Sequence, residues 1–286
     1  MAVTEHPLVG LGYSDASEVR SFVRISDDGE RGESGIVAEE VPVALVYNQR
    51  PHVVVMATPA DVEDLAIGFT LTEGIVRDAT DVKRIDVVRA SHGIELQLQI
   101  PPEAAERLEA HGRGLVSRTG CGLCGVETIG DMLRVPVEVG HALSVSHEAL
   151  WRAASELSNQ QSLNNATHTV HAAGWATADG VLHVVREDVG RHNALDKVLG
   201  ALARGAALNR DARDGFIVIT SRASYEMVQK AALRGVELIA AISRPTGLAI
   251  RFADAAGVTL VALMRGRSAN VYTGIQRLTH REDSPS

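Results

Sequence analysis

The chain has 286 residues, 28 Lys+Arg against 36 Asp+Glu (formal charge −8), 45% hydrophobic residues and two cysteines. This composition excludes wholesale disorder, and two cysteines exclude a disulfide-stapled secreted scaffold. The negative charge argues against a broad nucleic-acid-binding face, and no apolar run nears the roughly 20 residues a membrane-spanning helix needs.

Residues 1–35 read as a flexible N-terminal arm: the stretch from Asp27 to Gly35 is polar, Gly-rich and aperiodic, so structure is expected to begin near Ile36. The N-terminus has no basic segment followed by an apolar one, so no signal peptide is indicated and the expected compartment is the cytoplasm. Val41–Asn48 and His52–Thr58 are Val-rich strands around a turn at Asn48–Pro51. A helix is expected next, with Thr58 as N-cap and Pro59 at its first position, stopping at Gly74. Val82–Arg89 and Gly93–Ile100 form a second strand pair and Glu103–Glu109 a short helix, completing a small α+β domain over 36–110.

Residues 111–140 read as a Gly-rich Cys loop and connector, and 141–286 as an α/β domain. There Ser146–Gln161 is helical, Thr169–Ala176 and Gly180–Arg186 form a hairpin, and Asp188–Arg204 is a helix burying Ala194, Leu195, Val198, Leu199 and Leu202. Phe216–Thr220, Val236–Ile242 and Val258–Met264 are buried strands separated by helices Ser224–Leu233 and Thr246–Ala253. This order implies a layered α/β domain with parallel strand pairs.

Four motifs carry candidate chemistry. Cys121-Gly-Leu-Cys124 sits among glycines and near Arg113 and Arg118. The pair suits a metal, a redox dithiol, or a thiolate that carries sulfane sulfur as a persulfide, for which nearby positive charge and mobility are the requirements. No His-x-Glu precedes it, against a zinc deaminase, and no second Cys pair completes a zinc site. Second, Arg186–Lys197 gathers ionisable residues at a turn into a helix: Asp188 as a possible cap, and Asp188, Arg191, His192 and Asn193 as candidate binding residues alongside Glu187 and Asp196. Third, Ser221-Arg222-Ala223-Ser224 and Ser243-Arg244-Pro245-Thr246 repeat one strand–Ser-Arg-x-hydroxyl–helix corner, suited to anions at the carboxyl ends of neighbouring strands. The plain alternative is that Ser224 and Thr246 are N-caps and the arginines are solvated. Fourth, Leu263-Met264-Arg265-Gly266-Arg267-Ser268 leaves the last strand with two arginines, a Gly and a Ser, fit for a phosphate or guanine-type ligand. His168 and His171 are placed on a strand, on opposite faces, which argues against a shared metal; His171 is the candidate polar-site residue.

These motifs together resemble the formate dehydrogenase accessory sulfurtransferases, the FdhD/NarQ family. The resemblance is carried by Glu39–Pro42, Ala57–Gly74, Cys121–Gly125, Val170–Ala173, Glu187–Lys197, Ser221–Lys230 and Asn270–Tyr272. It implies a sulfur carrier that takes sulfur as a persulfide on Cys121, with Cys124 assisting, from a cysteine desulfurase. The sulfur passes to the molybdenum of a bis-molybdopterin guanine dinucleotide cofactor destined for formate dehydrogenase. It also implies a cytidine-deaminase-like C-terminal domain, cofactor contact at Leu263–Ser268, and a homodimer. The rival readings are a cofactor-binding chaperone without sulfur transfer, a zinc-dependent deaminase-like hydrolase, and a redox-sensing scaffold. Two departures stand out: Thr167-His168-Thr169 replaces the family's usual Thr-Gly-Gly, and Leu263 replaces its usual aromatic.

Overall fold

The computed structural model describes residues 12–13, 15–111, 133, 135–205 and 211–280. The Cys121 and Cys124 assignments, with Arg113 and Arg118, lie outside the described residues.

The described chain is mixed α/β, built on two main sheets. The smaller has order β4-β3-β6-β5, from β3 (Val41–Tyr47), β4 (Arg50–Ala57), β5 (Arg84–Ala90) and β6 (Gly93–Gln99). β3 and β4 join through Asn48 and Gln49, both at positive φ (49° and 67°), the backbone of a two-residue hairpin loop. Helix α1 (Val62–Thr72) packs on this sheet, Leu65, Ile67 and Phe69 sharing a core with Val43, Leu45 and Leu96; α2 (Pro102–His111) follows β6. Ten of the eleven α1 residues are buried, Asp64 and Thr70 included. A helix enclosed on every side needs a second partner beyond its own sheet.

That partner belongs to the larger unit. Its six-stranded sheet runs β13-β12-β11-β10-β8-β9, from β8 (His171–Thr177), β9 (Leu182–Asp188), β10 (Gly215–Ile219), β11 (Leu238–Ala241), β12 (Thr259–Arg265) and β13 (Ser268–Thr273). β10–β11 and β11–β12 are parallel, as the order of elements predicts; β8, β9 and β13 pair antiparallel. One face is covered by α3 (His147–Asn159), whose Leu150 and Leu157 pack with Phe216 and Val218. The other is covered by α5 (Arg191–Arg204), α6 (Tyr225–Leu233) and α7 (Gly247–Ala255). The five apolar residues expected on one face of α5 all lie in that core. Its opposite face meets α1 so closely that a Cβ on Gly68 would lie 1.7 Å from the Asp196 carbonyl oxygen, and one on Gly200 1.9 Å from that of Asp64.

Several expectations need correction. The N-terminal segment is not featureless: β1 (Ser17–Ser26) and β2 (Gly29–Ala38) form an antiparallel hairpin with ten aligned pairs. A Gly29 turn at φ 108° closes it, and the sequence signal for it is period-2: Val19, Val23 and Ile25 alternate with Glu18, Arg20 and Arg24 along β1. Helix α1 begins at Val62, after an Asp61 N-cap at φ 51°, because Thr58 is engaged elsewhere, as described below. Helix α5 begins at Arg191 with Gly190 as N-cap, and Asp188 ends β9. Segment 263–268 is not an exit loop. β12 continues to Arg265, turns at Gly266 and Arg267, and returns as β13 from Ser268.

His168 is not on a strand. It caps the short helix α4 (Ser162–Thr167) at φ 55° and ψ 28°, in the left-handed region that favours glycine. This position is one of the two where the chain departs from the family's Gly-Gly. His168→Gly is therefore expected to raise stability by about 0.5–1 kcal/mol, because relief of the left-handed penalty exceeds the added freedom of the unfolded chain. Urea midpoints at constant m-value measure it, and a lowered midpoint would count against the strain.

Candidate functional site at one edge of the large sheet

Strand polarity gathers the candidate residues. β10, β11 and β12 point one way, β8 the other and β9 with the first three, so the ends of β9, β10, β11 and β12 and the starts of β8 and β13 lie along one edge. His171 opens β8 opposite Asp188, the last residue of β9. Arg191 and His192 open α5, Ser221–Ser224 follow β10, Ser243–Thr246 follow β11, and Leu263–Ser268 make the β12–β13 turn.

The two Ser-Arg corners are neighbours, joined by a parallel bridge between Ala223 and Pro245 and by Thr246 N–H donating to the Ala223 carbonyl at 3.1 Å. Thr246 is the N-cap the plain alternative requires, its Oγ1 accepting from Ala249 N–H at 3.3 Å. Ser224 occupies the N-cap position of α6 without making that bond. Arg222 and Arg244 are exposed. Arg265 is also exposed and donates to the Ile242 carbonyl at 3.1 Å, while Arg267 pairs with Glu148 on α3. Arg191 is half-buried, and its Nε is buried without a hydrogen-bond partner. A buried guanidinium N–H in that state is costly unless a bound group accepts from it. Leu263 stands at φ 56° inside the irregular β12–β13 pairing, its N–H donating to the Ser243 carbonyl at 3.1 Å. A bulge of this kind re-aims side chains at a sheet rim. Gly266, at φ 55°, has nothing within 4 Å of where a Cβ would stand, so backbone there is open to close approach.

Charge at this edge is mostly positive. His171 is held below the ordinary imidazole range, first by burial and then by Arg191 and His192. Glu226, in the first turn of α6, is an anionic exception, as is Glu148 beside Arg267. His192, with Nε2 3.9 Å from the Glu226 Oε2, and the Ser224 hydroxyl hold the Glu226 carboxyl down to about 2 against the opposing effect of burial. Its folded value lies below its ordinary 4.5, so the stabilisation is present above about pH 4.5 and is lost as pH falls toward 2. Glu226→Gln is expected to flatten that part of the acid-unfolding curve. An unchanged acid limb would contradict the pairing.

The sheet edge does not keep every candidate. Asp188, fully buried, accepts from Thr58 N–H (3.1 Å), Gly190 N–H (2.8 Å), Asn193 Nδ2 (2.9 Å) and Lys197 Nζ (2.6 Å). Asn193 also donates to the Met56 carbonyl at 2.8 Å, and Lys197 to the Thr58 carbonyl at 3.0 Å. Asp188 and Asn193, expected on the wall of the site, thus lie beneath it and tie β9 and α5 to the smaller unit. One helical turn on, Asp196 accepts from Thr72 Oγ1 (2.7 Å) and from Lys230 Nζ (2.9 Å), which also pairs with Glu73 (3.0 Å). Burial pushes Asp196 up against the pull of Lys230. Met264 is 3% exposed and belongs to the core beneath α3, and Ser221 is buried with its hydroxyl on the Arg222 carbonyl. Sequence reasoning missed Glu226, because an acid in a first helical turn reads as a partner of the helix dipole. It also missed the role of Thr58, whose Thr-Pro context reads as a cap. Among the described residues no group of His, Cys, Asp and Glu is placed to hold a metal, and no helix is long and apolar enough to cross a membrane.

Comparison with known proteins places this architecture. Residues 38–279 match the model of the FdhD/NarQ family. The sulfur carrier protein FdhD of Xanthomonas campestris pv. campestris (strain B100) is 51% identical over 243 residues, 85% of each chain. That of Cupriavidus necator is 49% identical over 244 residues, 85% of this chain and 84% of the other. A crystal structure of a candidate formate dehydrogenase accessory protein from Desulfotalea psychrophila superposes with a TM-score of 0.71 at 26% identity, covering 92% of this chain and all of that one. Matched by the family model over residues 38–279 and sharing about half of the aligned residues with curated members across 85% of its length, the chain belongs to the FdhD/NarQ family.

Proposed function

We propose that the protein is a cytoplasmic sulfur carrier in the maturation of formate dehydrogenase. The observation that carries this is the 51% identity over 85% of the chain to relatives named as sulfur carriers. In this reading Cys121 is the carrier. Its thiolate attacks the outer sulfur of a persulfide on a cysteine desulfurase, the donor's S–S bond breaks, and the donor leaves as a thiolate. Sulfur moves without net oxidation, and Cys121 becomes a persulfide, with Cys124 assisting.

The cargo site of this proposal is the sheet edge. Its substrate is the bis-molybdopterin guanine dinucleotide cofactor, whose phosphates need donors in a positive environment. Arg222, Arg244 and Arg265 are exposed along that edge, and the partnerless Nε of Arg191 is suited to a bound acceptor oxygen. The open backbone at Gly266 and the bulge at Leu263 let the β12–β13 turn approach such a ligand. His171, Ser224 and His192 line the floor, while Arg267 and Ser268 lie at the turn itself. The two-faced covering of the six-stranded sheet agrees with the cytidine-deaminase-like layering expected for this family. Formate dehydrogenase is the client, and the working form is a homodimer.

Intact mass after incubation with a cysteine desulfurase and cysteine tests the reading. The wild type is expected to gain one reductant-labile sulfur, and Cys121→Ala none. If no variant gains sulfur while a known acceptor is loaded in parallel, the carrier role fails and a cofactor-binding chaperone takes its place.

A further inference from the structure

Glu226 is a carboxylate on an edge otherwise suited to anions. It stands in the first turn of α6, beside the His192 imidazole and the Ser224 hydroxyl, on the edge that carries Arg191, Arg222, Arg244 and Arg265. An acid that serves only the helix dipole does so from the surface, where its charge stays hydrated. The Glu226 side chain is only 19% exposed, and burial opposes its charge. A phosphate bound beside it would be repelled. A group of this kind favours a ligand part that brings hydrogen-bond donors and no negative charge.

The other carboxylates near this edge are committed. Asp188 is taken up by the four donors beneath the site. Glu187 accepts from Leu163 N–H at 2.9 Å and from Asn164 N–H at 2.8 Å, at the start of α4. Glu148 pairs with Arg267. Glu226 differs: His192 Nε2 lies 3.9 Å from it, beyond hydrogen-bond length, and an ionised carboxylate offers about four lone-pair positions. It keeps the capacity to accept from a ligand on its open side.

That capacity selects a chemical class. A 2-amino-4-oxopyrimidine edge presents a ring N–H and an exocyclic amino N–H side by side, and the pair fits the two oxygens of one carboxylate as a guanidinium fork does. Guanine and pterin both carry this edge. Adenine has an acceptor nitrogen in the equivalent place, which would face the carboxylate lone pairs.

On the basis of the cargo site proposed above, we propose that Glu226 is a specificity-determining residue, its carboxylate accepting the two N–H donors of a 2-amino-4-oxopyrimidine edge while the arginines take the phosphates. Repulsion between Glu226 and phosphate then fixes the direction of the ligand along the edge, ring at α6 and phosphates toward the arginines.

Isothermal titration calorimetry of the full chain with GDP, IDP and ADP tests this. The wild type is expected to bind GDP about 30-fold more tightly than ADP and about 10-fold more tightly than IDP, which lacks the 2-amino group, in line with the strength of hydrogen bonds to a charged acceptor. In Glu226→Gln the amide turns its own donor toward one of the two N–H groups, and the preference for GDP over ADP should fall to about threefold or less. Glu148→Gln removes a negative charge from the same edge and should leave the preference as it is. The IDP comparison needs no variant, so the test stands even where Glu226→Gln misfolds. Guanosine and neopterin share the edge and lack phosphates; whichever displaces GDP at the lower concentration names the ring seated on Glu226. A wild type that binds GDP, IDP and ADP alike overturns the proposal, as does a preference that survives Glu226→Gln or disappears equally in Glu148→Gln; each of these leaves the cargo site standing. A wild type that binds none of the probes removes the cargo site itself and this role of Glu226 with it, while sulfur loading on Cys121 is read separately by mass.

Discussion

Gly200→Ala and Gly68→Ala are each expected to destabilise the protein by about 3 kcal/mol or more, at the upper end of overpacking costs. The methyl group on residue 200 would meet the Asp64 carbonyl oxygen at 1.9 Å and the Gly68 nitrogen at 2.7 Å; that on residue 68 would meet the Asp196 carbonyl oxygen at 1.7 Å. These obstacles are backbone atoms inside helices, which cannot rotate away as a side chain can. The helices must move apart, and the polar contacts along them then lengthen together: Asp188 with Thr58 and Lys197, Asp196 with Thr72 and Lys230. Because both substitutions open one seam, the double variant should cost clearly less than the two singles combined. Gly247→Ala is the control, since its added carbon would have only the Arg251 guanidinium end at 3.5 Å. Urea unfolding with unchanged m-values is the measurement. Losses below about 1 kcal/mol, or strict additivity, would contradict a rigid helix–helix contact.

Lys197→Met is expected to cost about 3–5 kcal/mol, the usual consequence of removing one member of a buried ion pair. Lys197 and Asp188 both have side chains with no exposure, and their Nζ–Oδ2 distance is 2.6 Å. Without the ammonium, the carboxylate keeps three neutral donors and no counter-charge, and the Thr58 carbonyl loses a partner. Replacing Asp188 as well is not expected to restore stability, because Thr58 N–H and Gly190 N–H then lack their acceptor. Lys197→Arg should also fail to rescue, since a planar guanidinium needs more room than a fully enclosed ammonium leaves. A wild-type midpoint for Lys197→Met would show that the pair contributes nothing to the junction.

The seam explains why the densest motif in the sequence divides between two roles. In Arg186–Lys197, residues at α5 positions 191 and 192 emerge at the sheet edge. Positions 193 and 197 bond the Met56 and Thr58 carbonyls of the smaller unit, positions 196 and 200 face α1, and positions 194, 195, 198 and 199 enter the core of the large sheet. Helical periodicity shows that three faces exist, and the apolar one is legible at once. It does not distinguish a polar face that binds a ligand from one that binds another helix. Of the candidates, His171, Arg191, Arg222, Arg265, Arg267 and Ser268 have exposed or half-buried positions along the edge, whereas Asp188, Asn193 and Met264 do not.

What the sequence determined by itself is local. Valine richness places β3 and β4, the three-four apolar spacing places α3 and α5, and Ala178-Asp179-Gly180 places the β8–β9 turn, because backbone preference and side-chain periodicity act over a few residues. The family motifs, too, were legible as residues at fixed spacings. The tertiary structure decided which polar groups are enclosed. Asp188 bonds to Thr58 across 130 positions and Asp196 to Thr72 across 124, and no window along the chain contains both partners. It also decided that Thr58 serves a carboxylate instead of capping a helix, and that the N-terminal residues pair into a hairpin. In each case burial and pairing depend on what folding brings alongside, and that energy is absent from the isolated segment.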